Sequence, residues 1–217
     1  MDIVSRSQWG AAPPRSRVTT TWSARRYFVV HHSEGPITQT VKSIQSFHMR
    51  STRSGGRGWS DIGYNFLVDH TGRIYEGRGW TVVGAHATGY NTTGIGVCVI
   101  GRDGTDITAA ARRAVRWLYD EAARRAGRPL AARGHGQLVP SDCPGDTLRA
   151  WIRDGMPATG AAPAPSSWME KAVKNLPQLK RGSTGEAVHT LRGLLHARSH
   201  QEIGPVEGGF DAKVEAA

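Results

Sequence analysis

The apolar and polar positions along the chain resolve into a handful of strong elements. Tyr27–Val30 is an unbroken apolar run that reads as a buried strand closing at His31-His32. Val41, Ile44, Phe47 and His48 recur at helical spacing and predict an amphipathic helix over Thr38–Arg50. Tyr64–Val68 and Arg73–Glu76 flank the turn Asp69-His70-Thr71-Gly72 and read as a hairpin. Ile95–Ile100 is a further buried strand. A long helix follows, with Thr108 as N-cap, Ala111, Val115, Leu118 and Ala122 as its buried stripe, and Gly127 with Pro129 as its stop. Arg112, Arg113, Arg116, Arg124 and Arg125 fall mostly off that stripe and read as a solvated basic face. A short helix is expected from about Asp146 to Arg153, ended by Gly155 and Pro157. Strands mixed with helices, one hairpin among them, predict an α/β fold with a sheet of mixed direction.

The pattern changes after residue 155. Met156–Ser167 (MPATGAAPAPSS) lacks periodicity, is rich in Pro, Ala and Gly, and reads as a linker. Beyond it, Ser183-x-x-Glu186 makes a capping box and Val188, Leu191, Leu194 and Leu195 form a helical stripe. Gly208-Gly209-Phe210-Asp211 reads as a turn into another helix, which the sequence breaks off at Ala217. The expected organisation is a domain over residues 1–155, a linker over 156–167, and a small, incomplete helical module over 168–217.

Composition narrows the class. With 217 residues, 38% of them hydrophobic and seven Trp, the chain is globular, not disordered. No stretch approaches the roughly 20 apolar residues that span a bilayer. Met1–Arg17 has no apolar core of the secretory kind, so the expectation is synthesis in the cytoplasm and release or export by another route. A net charge of +10 attracts polyanions in general, nucleic acid and the anionic polymers of bacterial walls alike, and does not choose among them. Two cysteines make no disulfide framework. Cys98 lies in an apolar run and reads as a buried free thiol, whereas Cys143 sits in a polar loop beside Pro144 and Gly145 and needs another account.

Chemistry concentrates at His31, His135 and Cys143. His31 closes a buried strand, His135 lies in Gly134-His135-Gly136, and Cys143 follows eight residues later. Imidazole and thiolate are good zinc ligands, and three of them leave a fourth position open for water. Bound zinc lowers the pKa of such a water towards ~7 and polarises a carbonyl. Among nine His and two Cys the spacing alone leaves this reading open.

Longer words in the sequence sharpen it. YFVVHHS (Tyr27–Ser33), GWSDIGYNF (Gly58–Phe66), GRIYEGRGW (Gly72–Trp80), VGAHATGYN (Val83–Asn91), GIGVCVIG (Gly94–Gly101) and Gly134-His135 with DCPG (Asp142–Gly145) stand in one order. That order resembles the zinc amidases that include peptidoglycan recognition proteins and phage N-acetylmuramoyl-L-alanine amidases, over roughly Ile3 to Gly155. The resemblance implies a mixed central β-sheet flanked by helices with Zn²⁺ at the floor of a groove. It implies His31, His135 and Cys143 as metal ligands and Tyr64 as the catalytic tyrosine. Two residues before the cysteine, where the family usually carries Lys or Thr, stands Ser141, a neutral donor to the oxyanion. The implied reaction cuts the amide between N-acetylmuramic acid and L-alanine of bacterial peptidoglycan, in the manner of an endolysin.

Other residues admit blander readings. His86, Trp59 and Asn91 fall on the implied groove wall as substrate contacts, with structural roles for His86 and Trp59 weighed equally. His32 points away from His31 if the strand alternates, and His48 reads as structural. The tail words QLKRG (Gln178–Gly182), Gly185–Val188 and Gly209–Asp211 resemble part of a helical peptidoglycan-binding domain, which would tether the chain to the wall. Peptidoglycan is the expected partner, nucleic acid and membrane are not, and a monomer is expected. Three rivals remain: a recognition protein that binds without cutting, whose family members typically lose the cysteine; a nucleic-acid binder, suggested by charge alone; and a zinc peptidase of the stem peptide.

Overall fold

β2 (Tyr27–His32) and β5 (Gly94–Val99) run parallel at the centre of one sheet, in register from Tyr27 opposite Gly94 to His32 opposite Val99. This is a computed structural model, and it describes residues 1–104, 106–157, 179–197 and 210–211. β6 (Ala131–Gly134) pairs parallel with the other side of β2. Beyond β5 lie β3 (Phe66–Val68), parallel to it, and β4 (Ile74–Glu76), antiparallel to β3 as the second arm of the expected hairpin. β1 (Ile3–Val4) closes the far edge, parallel to β4. The sheet order is β1-β4-β3-β5-β2-β6.

Strand alternation divides the core into two clusters. Phe28 and Val30 of β2, Val97 and Val99 of β5, and Phe66 and Val68 of β3 face one side. There they meet α2 (Ala109–Ala126) through Ala111, Val115, Leu118 and Ala122, and α3 (Asp146–Arg153) through Leu148, Trp151 and Ile152. The stripe read from sequence is the buried stripe, each of its four members being 0% exposed. Burial of a side chain such as Val115 or Leu118 contributes roughly 1.5–3 kcal/mol. Thr108 Oγ1 accepts the Ala111 N–H at 3.1 Å, a cap whose loss costs about 1 kcal/mol. On the opposite side Leu67 and Cys98 pack with Val41 and Ile44 of α1 (Val41–Met49). α1 starts at Val41, later than the Thr38 expected, because Thr40 caps it with an Oγ1 that accepts the Ser43 N–H.

Two edge strands, β1 and β6, were not anticipated. β6 reads AARG and shows no apolar alternation; it exists because β2 offers it a ladder. Tyr64, expected inside a strand, lies two residues ahead of β3, where its carbonyl and that of Asn65 accept the Arg78 and Gly77 N–H groups. The basic face of α2 is neutralised locally: Arg116 pairs with Asp120, and Arg124 and Arg125 pair with Glu121.

The chain separates into two compact units, Met1–Pro163 and Ala164–Ala217. Met156, which the sequence assigns to the linker, is buried in the core of the first unit. Residues 158–167 of the linker, the Gly208-Gly209 turn and the segment after Asp211 lie outside the described residues. In the second unit α4 (Glu186–Ala197) buries Val188. The Ser183 hydroxyl accepts the Lys180 N–H at 3.0 Å, so Ser183 serves the preceding turn where a capping box would turn it to the helix. Phe210 and Ser183 are joined by a backbone hydrogen bond of 2.9 Å, and buried Arg192 pairs with Asp211 at 3.7 Å.

Candidate metal centre

Parallel pairing brings the candidate ligands together at the carboxyl ends of β2 and β6. His31, the last residue but one of β2, is 2% exposed and shares its register position with Cys98 on the α1 side of the sheet. His135 follows β6 directly and opens a 3₁₀ turn, so its ring centroid lies 4.5 Å from that of His31. Cys143 returns from the next loop because the Gly136 N–H donates to its carbonyl at 2.7 Å. A Cβ on Gly136 would stand 2.0 Å from the Ser141 carbonyl oxygen, so only glycine lets the two loop arms meet. The Cys143 Sγ receives the His32 N–H at 3.4 Å and lies 3.7 Å from His31 Nδ1.

His31, His135 and Cys143 offer ligand atoms that all lie within 4.8 Å of one another. Zinc–sulfur and zinc–nitrogen bonds at a tetrahedral angle would place S and N about 3.6 Å apart, close to the observed sulfur–Nδ1 spacing. Burial holds the His31 imidazole well below its ordinary pKa, with His86, His135 and His32 adding to the effect, and burial lowers His135 too. Both rings are therefore neutral at pH 7, the form that ligates. Burial pushes the Cys143 thiol up to about 11, the His32 N–H and Arg149 pulling against it and Glu34 with it. A cation held between the three groups is the partner that would bring the thiolate back. The donor set and its spacing fit zinc.

Around the cluster opens a cleft of about 510 Å³, lined by His31, Trp59, Tyr64, His86, His135, Ser141 and Cys143 among others. The Tyr64 ring stands 5.2 Å from that of His31. Burial and the neighbouring Cys98 and Cys143 push its phenol well above the ordinary value. Ser141 Oγ accepts the Cys143 N–H at 3.1 Å and keeps its own proton for another acceptor. Trp59 stacks on His48 at 4.7 Å and lines the cleft with its remaining surface.

The two expected substrate contacts Asn91 and His86 line a cleft with Trp59 and His135, and both also bond within the protein. Asn91 Oδ1 accepts the N–H groups of His86 and Ala87 at 2.7 and 2.9 Å, pinning the loop that carries His86. His86 is 7% exposed and its Nδ1 lies 3.1 Å from His31 Nε2.

Two further residues contribute: His32, read from sequence as a support to the ligands or a core residue, and Arg25, which sequence reasoning missed. The His32 backbone N–H touches the cysteine sulfur, while its side chain pairs with Glu34 at 2.7 Å. Arg25, 0% exposed and without a carboxylate partner among the described residues, donates to the carbonyls of Trp80, Val82, Thr92 and Gly94. Those carbonyls bracket the His86 loop. The signal for His32 was its place beside His31; a lone Arg ahead of a strand gives none.

A mixed sheet carrying two imidazoles and a thiol at its strand ends defines an α/β protein with a cluster able to hold a metal. The N-acetylmuramoyl-L-alanine amidase family model matches residues 21–146, and the chain belongs to that family. Peptidoglycan-recognition protein SC2 of Drosophila simulans is 39% identical over 162 residues, covering 70% of this chain and 84% of that protein. The human N-acetylmuramoyl-L-alanine amidase is 40% identical over 164 residues, 70% of this chain but 28% of that longer protein. Among solved structures, peptidoglycan recognition protein-LE in complex with tracheal cytotoxin, a monomeric diaminopimelic acid-type peptidoglycan, superposes with a TM-score of 0.63 at 33% identity, over 70% of this chain and 92% of that one.

Proposed function

We propose that the chain is a zinc-dependent amidase that hydrolyses the bond between N-acetylmuramic acid and L-alanine in bacterial peptidoglycan, and so lyses the wall as endolysins do. The observation that carries this reading is the convergence of His31, His135 and Cys143 in the floor of a cleft, in a chain of the amidase family. The presence of the cysteine favours cutting over recognition alone. Relatives named as amidases and as peptidoglycan recognition proteins support peptidoglycan as the substrate.

When bound, zinc would supply an activated water and polarise the scissile carbonyl. The chain's own groups do the rest. His31 and His135 present neutral nitrogens from the ends of adjacent parallel strands, a rigid base for the site. Tyr64, whose phenol holds its proton, acts as a donor that orients the nucleophile or the developing oxyanion. Ser141, anchored through the Cys143 N–H, directs its hydroxyl proton towards the same oxygen. Trp59 offers an aromatic wall to sugar or peptide. The segment over 168–217 would act as a partial wall-binding module.

Digestion of purified peptidoglycan with and without chelator, followed by mass spectrometry, tests the reading. Free L-alanine amino termini that need the metal are expected. Cleavage within the stem peptide, or binding without products, would overturn it.

A further inference from the structure

The His31 ring has two nitrogens, and they face different partners. Nδ1 looks towards Cys143 Sγ at 3.7 Å, and Nε2 towards His86 Nδ1 at 3.1 Å. A nitrogen can ligate a metal only through a free lone pair, so a ligating Nδ1 places the ring proton on Nε2. Among the described residues that proton then has one acceptor in reach, His86 Nδ1. The reverse tautomers would leave His31 with an N–H aimed at the sulfur.

We infer that His86 is a positioning residue: it accepts the His31 Nε2–H, and so selects the tautomer and ring plane that turn Nδ1 to the metal. The inference rests on the metal-site reading above. It goes beyond it by assigning His86 to the ligand's support, where the sequence gave it a place on the substrate wall.

The surroundings of His86 are built for an immobile ring. A Cβ on Gly96 of β5 would stand 2.3 Å from His86 Cδ2, and one on Gly84 would stand 2.4 Å from the same atom. Two glycines on separate segments therefore form a slot that admits the imidazole and nothing larger. Asn91 Oδ1 pins the backbone under the ring through the His86 and Ala87 N–H groups. Arg25 ties the loop's two ends by donating to Trp80 and Val82 on one side and to Thr92 and Gly94 on the other. The His31 and His86 rings meet edge to face at 81°, with centroids 5.0 Å apart. A side chain that had only to touch substrate would not need this support around its ring and backbone. An outer partner that fixes a ligand's orientation does.

The test compares His86→Leu, which removes the acceptor, with His86→Asn, whose Oδ1 stands near the lost Nδ1. Zinc affinity of the full chain is read by competition with a chromophoric chelator, and metal-free thermal unfolding reports the packing loss of each variant. The expected result is a loss of about 10- to 100-fold in zinc affinity for His86→Leu and less than about 5-fold for His86→Asn, at similar metal-free stability. In ¹⁵N-resolved NMR a His31 Nε2–H resonance should persist in the wild type and in His86→Asn and vanish in His86→Leu. Equal losses in the two variants, or wild-type affinity in His86→Leu, would overturn the assignment. If instead the wild type and Cys143→Ser bind zinc alike, the metal site itself falls, an outcome distinct from a normal site that ignores His86.

Discussion

Acid should destabilise the metal-free protein through His48, by an amount the structure lets one work out. His48 is 6% exposed on the inner side of α1, and its Nδ1 accepts the Gly63 N–H at 3.0 Å. Burial, with Arg57 and Arg78 as like charges and Asp61 pulling the other way, lowers its pKa to about 4. In the unfolded chain the ordinary value, near 6.5, applies. Below pH 6.5 the unfolded chain therefore takes up a proton that the folded chain refuses. The stability held by neutral His48 is complete above 6.5 and drains away as the pH falls towards 4. Between pH 7 and 4.5 the difference amounts to about 2 kcal/mol. The perturbation is His48→Asn, which keeps an acceptor near the Gly63 N–H but removes the titrating ring. Denaturant unfolding followed by tryptophan fluorescence, with chelator present so that metal linkage does not enter, gives the stability at both pH values. The other buried histidines lose stability in both proteins and cancel in the comparison. The wild type should lose about 2 kcal/mol more than the variant on acidification. Equal losses would mean that His48 is protonated in the folded state or already neutral when unfolded, and the burial argument would be wrong.

Four further outcomes are expected. Cys143→Ser should abolish hydrolysis and most zinc binding while the fold persists, checked by metal analysis and circular dichroism, because a hydroxyl is a poor substitute for thiolate. Tyr64→Phe should leave zinc binding intact and lower kcat by about 10²-fold, as the loss of a positioned donor does; an unchanged kcat would make Tyr64 a packing residue. Ser141→Lys should keep or raise kcat, since a charged donor stabilises an oxyanion more strongly, whereas Ser141→Ala should lower it by about 10-fold or more. Gly96→Ala should cost about 1–3 kcal/mol in unfolding free energy and weaken zinc binding with it, since its methyl would collide with the His86 ring.

Much of the fold could be read from periodicity, and where it could not the reason is local. α2 has the Thr108 cap, the Gly127 stop and an unbroken apolar stripe, and α3 has its apolar face and a stop at Gly155, so their limits in the structure match the pattern. β6 could not be read, because Ala131, Ala132, Arg133 and Gly134 carry no strand signal and pair only because β2 presents a ladder. The ligands His31, His135 and Cys143 stood out through the words around them. Asn91 and His86 stand out on the groove wall as well, but their bonds within the protein do not, because a sequence shows that a polar residue is present, not which way its side chain turns. The direction of Asn91 Oδ1 is set by two N–H groups of its own loop, and that of His86 by a partner 55 residues away. Arg25 was the hardest to foresee. Among the described residues its guanidinium donates to backbone carbonyls alone, and carbonyls leave no trace in side-chain composition.

The arrangement of the site on β2 and on the segment after β6 has a consequence for the chain as it is made. His31 and Cys143 are separated by 112 residues, and at usual ribosomal speeds that interval lasts roughly 6 to 22 s. Throughout it the nascent chain carries one strand-end imidazole and no loop thiol beside it. The strand that delivers His135 is also the one whose own residues give it least reason to form, so the pocket closes only once the rest of the sheet stands as a template. The three candidate ligands can therefore meet only after the loop that carries Cys143 has been made, however much of the sheet stands before it.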